Sequence, residues 1–286
     1  MNWAKRSVEF PGLLGARLRA RSGRSSPYRG VGDCVYIDLA KMFFAVADSP
    51  ERNTRASYNF VMRFAEFMEE VDSISAGNIY SERDINLIKD ELERSSAKIL
   101  ESVPFRENST FTGLCVFKSE KGPMGILFHS GDSFLLECDL ETKHVRCCTR
   151  SNFLMIGRTR SFPQLEVVNM AESKRYLLGT DGFSCLELPG QRDDFLMGLF
   201  ETQGVEMIAD FLVDNFAGSN AGDDIALLSL DPAKLLLYSG GRTRLVMGGT
   251  SSREEEKIQL PYLSGDYSDW YEPYGSFSLQ SSERLR

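Results

Sequence analysis

Two runs, Cys34-Val35-Tyr36-Ile37-Asp38-Leu39 and Met42-Phe43-Phe44-Ala45-Val46-Ala47, are separated only by Ala40 and Lys41 and end at Asp48-Ser49-Pro50. Both are rich in β-branched and aromatic residues, so they predict adjacent strands joined by a short connection. From Thr54 to Asp72 the period changes. Phe60, Phe64, Phe67 and Val71 fall on one helical face, and a second amphipathic helix follows in which Ile85, Ile88, Leu92 and Ile99 continue the stripe to about Ser102. Ser81 with Asp84 is a capping arrangement for its start.

Beyond these helices the strand pattern returns at Thr110 to Phe117, Gly125 to His129, Phe134 to Cys138, His144 to Cys148, Leu165 to Met170 and Tyr176 to Gly179. Helical segments are expected around Phe195 to Thr202 and Val205 to Phe216, then a strand at Ile225 to Leu230. Strands and helices come in blocks and do not alternate strictly. That predicts an α+β sandwich built on antiparallel sheets in preference to a doubly wound parallel fold.

The flanks read differently. Residues 1 to 30 carry Lys5, Arg6, Arg17, Arg19, Arg21, Arg24 and Arg29 against Glu9, a local +6 within a chain of net charge -8, which leaves -14 for the remainder. A basic segment over 1–21, a domain over 22–231 and an extension over 232–286 are expected. The extension contains Gly240, Gly241, Gly248, Gly249, the charged run Arg253 to Lys257 and Tyr262, Tyr267, Trp270, Tyr271, Tyr274 and Phe277 without a sustained period. It reads as a flexible tail or as a segment that folds onto the domain or a partner.

Composition bounds the chemistry. With 42% hydrophobic and 26% charged residues the chain is ordinary for a globular protein. Only His129 and His144 are present, so a zinc site built on several imidazoles is excluded, and any metal must sit mainly on carboxylates. The acidic body argues against nucleic acid as the main partner. Six cysteines without a Cys-x-x-Cys pair, no run of apolar residues approaching a membrane span and no apolar core to the first 25 residues lead to the expectation of a cytoplasmic protein with no membrane partner.

Four acidic turns stand at strand ends: Asp48-Ser49-Pro50, Gly131-Asp132-Ser133, Thr180-Asp181-Gly182 and Gly222-Asp223-Asp224. Each singly is an ordinary turn. Gathered at one edge of a sheet, the carboxylates would repel unless a cation neutralised them, and a hard divalent ion with oxygen ligands answers that need. Two such ions can activate a water for attack on a phosphoryl group, with no side-chain nucleophile required.

In this order the motifs resemble the metal-dependent protein phosphatases of PPM type, in detail the compact bacterial and sporulation-phosphatase branch. The resemblance covers roughly residues 20 to 230. It rests on Gly32-Asp33, Phe43-Phe44-Ala45-Val46-Ala47-Asp48, Thr112-Gly113, Gly131-Asp132-Ser133, Leu177-Leu178-Gly179-Thr180-Asp181-Gly182 and Asp223-Asp224-Ile225-Ala226. It implies an α-β-β-α sandwich with two Mn²⁺ or Mg²⁺ ions between the sheets, a third weaker site, and phosphoserine or phosphothreonine in a protein as substrate. By the same resemblance Asp48 bridges both metals, Ser49 stands where the family uses a glycine carbonyl, and Asp181 and Asp223 are direct ligands. Asp132 matches the aspartate that helps hold the third metal, Asp33 matches the acidic position that contacts water on the metal, and Asp224 replaces the usual asparagine. Arg29 lies near the place of a phosphate-binding catalytic arginine, and Arg52 is a second candidate for gripping phosphate bidentately.

The chain also departs from the pattern. Where the family has Asp-Gly-x-Gly-Gly, it has Asp48-Ser49-Pro50-Glu51-Arg52, and Pro50 occupies the place of a histidine that many members carry as a candidate general acid. Two functions therefore follow as expectations: a metal-dependent serine/threonine phosphatase and, as the alternative, a pseudophosphatase or regulatory binding module with a weakened metal site. His129, in an apolar run, reads as a hydrogen-bonded core histidine. Nothing in the sequence sets the oligomeric state.

Overall fold

A computed structural model describes residues 6–20, 30–74, 78–182, 189–202, 204–216, 223–239, 243–254 and 277–281. Fourteen strands form two sheets among these residues. One has the order β1 (Arg6–Phe10), β2 (Leu14–Arg19), β12 (Ile225–Leu230), β11 (Lys174–Gly179), β8 (Phe134–Asp139), β9 (His144–Cys147). The other runs β10 (Gln164–Asn169), β7 (Gly122–Ser130), β6 (Phe111–Ser119), β4 (Phe43–Ala47), β3 (Val31–Asp38), β13 (Thr243–Thr250), β14 (Phe277–Ser281). Every pairing along these two paths is antiparallel. The two-residue β5 (Ile79–Tyr80) departs from the expected pattern by joining β6 in parallel.

The helices complete an α-β-β-α sandwich. Helices α1 (Arg55–Glu70) and α2 (Glu82–Ser102) cover the β3-β4-β6-β7 face, and α4 (Val205–Phe216), with α3 (Pro189–Glu201), covers the β2-β12-β11 face. The capping box read at Ser81 and Asp84 is present: Asp84 N–H donates to Ser81 Oγ, and Ser81 N–H donates to Asp84 Oδ2.

Side-chain alternation explains why the β4 run is apolar at every position although its sheet is antiparallel. Phe43, Ala45 and Ala47 point to the helical layer, while Phe44 and Val46 point to the layer between the sheets, so both faces are buried. Phe43, Phe64, Phe111 and Phe128 form one cluster of ring contacts on the helical side. Each such ring contributes roughly 1.5–3 kcal/mol by leaving water.

Both flanks differ from the sequence reading. The segment expected as a basic leader over 1–21 supplies β1 and β2, and β2 pairs directly with β12. Its arginines mask a period of two: Leu14, Ala16 and Leu18 face the inter-sheet core, and Arg17 lies on the other face beneath α4, 3.0 Å from Asp214. The region expected as an extension over 232–286 supplies α5 (Pro232–Leu235) and β13, with fully buried Leu245 and Met247. Two glycines at the end of β13 hide its strand character in the sequence. The aromatic stretch from Tyr262 to Tyr274 lies outside the described residues.

Candidate metal centre

Strand parity builds the site. Val35 and Ile37 in β3, and Phe44 and Val46 in β4, face the gap between the sheets; two residues back from Val35 is Asp33, and two on from Val46 is Asp48. Tyr176 and Leu178 in β11 and Ala226 and Leu228 in β12 face the same gap from the opposite sheet. Two on from Leu178 is Thr180, and two back from Ala226 is Asp224. Four polar side chains thus follow the apolar inter-sheet core at one end of the sandwich because a strand alternates with period two.

Hydrogen bonds join the two sheets there. Thr180 Oγ1 donates to Asp33 Oδ2 at 2.5 Å, and its own oxygen accepts from Ala226 N–H at 2.9 Å. Gly32 N–H donates to Asp224 Oδ2 at 2.8 Å. Asp223 and Asp224 are fixed relative to each other, since Asp224 N–H donates to Asp223 Oδ1 at 2.8 Å. Burial is graded: Asp33 and Asp224 are 1% and 2% exposed, Asp48 is half-buried, and Asp181 and Asp223 are exposed at the mouth.

This crowding shifts the deep carboxyls. Asp33 lies well above the usual carboxylate range because it is buried, with the charges of Asp48 and Asp224 adding to the effect. Asp48 is pushed up to about 8, first by burial; a hydrogen bond from Asp33 opposes the rise and the charges of Asp181, Asp223 and Asp224 reinforce it. Both carboxyls are thus driven toward the neutral form, each chiefly by burial, with the neighbouring carboxylates adding to it. Among the described residues no three acidic, cysteine or histidine side chains are drawn together tightly enough to chelate an ion. The donor set still fits a hard divalent cation: all its side-chain donors are carboxylate oxygens, and their crowding raises the pKa of the two deeper ones, a repulsion that such an ion would relieve.

Ser49 is held at the back of the site. Its Oγ donates within a small network that includes Gly32 O at 3.1 Å and Thr54 O at 3.0 Å, and Ser57 Oγ donates to the same Gly32 oxygen at 2.6 Å. The Ser49 carbonyl lies so close to Gly32 that a Cβ there would stand 2.2 Å from it. On the other side of Asp48 the backbone is pinned, with Thr110 N–H and Ser109 Oγ both donating to Asp48 O at 2.8 Å. Pro50 takes an extended conformation that any proline accepts and opens a single 3-10 turn, Glu51–Asn53.

The remaining site candidates are exposed or lie outside the described residues. Asp132 is exposed, and its charge acts on His129. Arg52 is exposed on the 3-10 turn after Pro50, and Arg29 lies outside the described residues. His129 is fully buried between Thr112 Oγ1 (2.9 Å from Nδ1) and Arg150 O (3.1 Å from Nε2), with burial lowering its pKa, as a core histidine would be. Thr180 and Gly32 have roles that the sequence reading did not assign. Their only signal was adjacency to Asp181 and Asp33.

No protein-family model and no curated protein sequence matches the chain. Solved structures do. The PPM Ser-Thr phosphatase MsPP from Mycobacterium smegmatis, in complex with cacodylate, superposes with a TM-score of 0.52 at 14% identity, covering 76% of this chain and 97% of its own. The catalytic domain of the serine threonine protein phosphatase PstP, in complex with 2 manganese ions, gives 0.52 at 18% identity, with 79% and 97% covered. RsbX in complex with magnesium gives 0.52 at 14% identity, with 79% and 98% covered. The chain has the fold of the PPM-type phosphatases.

Proposed function

We propose that this protein is a metal-dependent phosphatase of PPM type that hydrolyses phosphoserine or phosphothreonine in proteins. One observation carries the reading: two sheets of the PPM fold bring Asp33, Asp48, Asp181, Asp223 and Asp224 to one end of the sandwich, where burial and the neighbouring carboxylates raise the pKa of Asp33 and Asp48. Manganese in the PstP structure and magnesium in the RsbX structure support Mn²⁺ or Mg²⁺ as the ion.

In this reading Asp48, Asp181 and Asp223 hold the ions, Ser49 offers its carbonyl beside Asp48, and Asp132 belongs to a third, weaker site. Bound there, divalent ions would polarise a phosphoryl oxygen and lower the pKa of a water that attacks phosphorus. The chain's own groups do the rest. Thr180 orients the Asp33 carboxyl, Asp224 fixes the Gly32 backbone beneath the site, and Asp33, as its carboxylate, is placed to accept a proton from the attacking water. Arg29 and Arg52 are the candidates for holding the phosphate. Pro50 cannot donate, so the leaving alkoxide takes its proton from solvent.

The pseudophosphatase alternative rests on the Asp48-Ser49-Pro50 loop. In the structure that loop is closed by ordinary backbone geometry and by the Ser49 hydrogen bonds, with the Asp48 carboxyl still at the inter-sheet gap, which supports the enzyme. A cytoplasmic setting goes with this reading. It is supported by free thiols at Cys34, Cys115, Cys138, Cys147 and Cys148. Among the described residues no helix is long and apolar enough to cross a membrane.

The test is hydrolysis of a phosphothreonine peptide with Mn²⁺, for the wild type, for Asp181→Asn and in excess EDTA. Turnover lost in both comparisons is the expected result. A folded wild type that binds Mn²⁺ and turns nothing over would favour the binding module.

A further inference from the structure

Strand β13 ends against the site. Its residues pair with β3 in antiparallel register from Arg244 opposite Asp38 to Gly248 opposite Cys34, and the register then shifts so that Thr250 lies opposite Val31. Gly248 and Gly249 form this bulge with φ of +86° and +58°, a left-handed path that side chains resist. The approach is also too close for a side chain. A Cβ on Gly248 would stand 2.0 Å from the Asp33 carbonyl oxygen, and one on Gly249 would stand 2.4 Å from Tyr58 Cβ.

The far side of the bulge is fastened to the start of α1. Thr54 occupies the N-cap position of that helix but makes no capping hydrogen bond with its side chain. Its Oγ1 donates instead to Thr250 O at 2.6 Å, in a buried contact. With φ of -60° and ψ of -18° Thr54 already has helical backbone geometry, so its hydroxyl is turned to β13 and not to the N–H groups of the first turn. Thr54 O in turn accepts from Ser49 Oγ at 3.0 Å, and Ser49 follows Asp48. Arg55 adds a second tie, with its guanidinium 3.1 Å from Glu254 and 4.0 Å above the Tyr58 ring. A chain of contacts results: the Asp33 backbone lies against Gly248, Thr54 bonds to Thr250, Ser49 bonds to Thr54, and Ser49 follows Asp48.

We infer that Thr54 is a positioning residue of this site, which, through the Gly248–Thr250 bulge of β13, sets the spacing of the Asp33 and Asp48 carboxyls. The inference rests on the phosphatase reading for the identity of the ligand, Mn²⁺, but not for the geometry. It also gives the C-terminal strand a part in the site that the motifs before residue 230 do not contain.

Three variants of the full chain test it: Thr54→Val, which keeps the shape and removes the hydroxyl, Thr54→Ser, which restores the donor, and Leu235→Ala, a core variant away from the site that controls for lost stability. Mn²⁺ affinity is measured by calorimetry, and the backbone amide resonance of Asp33, across the bulge from Thr54, is followed by NMR in metal-free protein. Thr54→Val should bind Mn²⁺ about ten- to a hundredfold more weakly, the range found for residues that orient metal ligands. Its Asp33 amide resonance should also move, Thr54→Ser should restore both, and Leu235→Ala should change neither. Wild-type affinity and an unmoved resonance in Thr54→Val would overturn the inference. If the wild type bound no Mn²⁺, the phosphatase reading would fall, and the resonance alone would decide: moved in Thr54→Val and restored in Thr54→Ser supports positioning, unmoved overturns it.

Discussion

Thr180 and Asp33, 147 residues apart and in different sheets, are joined by a buried hydrogen bond of 2.5 Å. The contact ties the β11 end to the β3 strand at the level where the inter-sheet core gives way to carboxylates. The same hydroxyl accepts from Ala226 N–H, so one side chain links three strands.

Thr180→Val should therefore destabilise the protein by about 1–3 kcal/mol, since it leaves the buried Asp33 oxygen and the Ala226 N–H without that partner at nearly constant volume. Urea denaturation of the metal-free protein measures it. A change within error would show that water or a rotated neighbour satisfies both groups.

Gly32→Ala tests how closely the Asp48 loop lies on β3. The new methyl would stand 2.2 Å from the Ser49 carbonyl oxygen, a backbone atom that moves only with the whole loop. Overpacking of this kind costs about 1–3 kcal/mol. Thermal denaturation should show the loss, and Mn²⁺ affinity should fall with it because Asp48 is the residue before Ser49.

The pH dependence of stability follows from the raised carboxyls. Asp48 moves from an ordinary value of 3.8 to about 8, and Asp33 is raised in the same direction. Between those values the native state holds protons that the unfolded chain has released, so stability is fully present below about pH 4 for this contribution and declines as pH rises towards 8. Metal-free protein should show a melting temperature that falls from pH 5 to pH 8. Saturating Mn²⁺ should flatten or reverse the slope, because the ion replaces the proton. A rising slope without metal would contradict the upward shift of these two carboxyls.

Truncation after residue 242 removes β13 and exposes the edge of β3. Leu245, Val246 and Met247 are buried, and each contributes roughly 1.5–3 kcal/mol on the usual scale for apolar side chains. The expected outcome is a large fall in melting temperature or an insoluble product. An unchanged melting temperature would mean that this strand is not part of the folded unit.

Local pattern accounts for most of the elements. The apolar runs at residues 34–39 and 42–47, the helical stripe through Phe60 and Phe64, and the Ser81–Asp84 cap each act over a few residues, so period and capping chemistry reveal them. Where local pattern was ambiguous the reading failed. Arginines alternating with Leu14, Ala16 and Leu18 looked like a charged leader, and the Gly248–Gly249 pair made a buried strand look like the loose start of a tail. In both cases the neighbour that makes a strand of the segment, β12 for β2 and β3 for β13, is distant in sequence.

The sequence by itself determined that any metal here must use carboxylates, that those carboxylates stand at strand ends, and that strands and helices fall into the blocks of a sandwich. These follow from residue type and short-range periodicity. Only the tertiary structure decided that Asp33 and Asp48 are buried together, that Thr180 and Gly32 bridge the sheets, and that β13 closes over the back of the site. Hydrogen bonds and close approaches depend on positions within a few tenths of an ångström, and those positions are set by the packing of two sheets whose strands come from opposite ends of the chain.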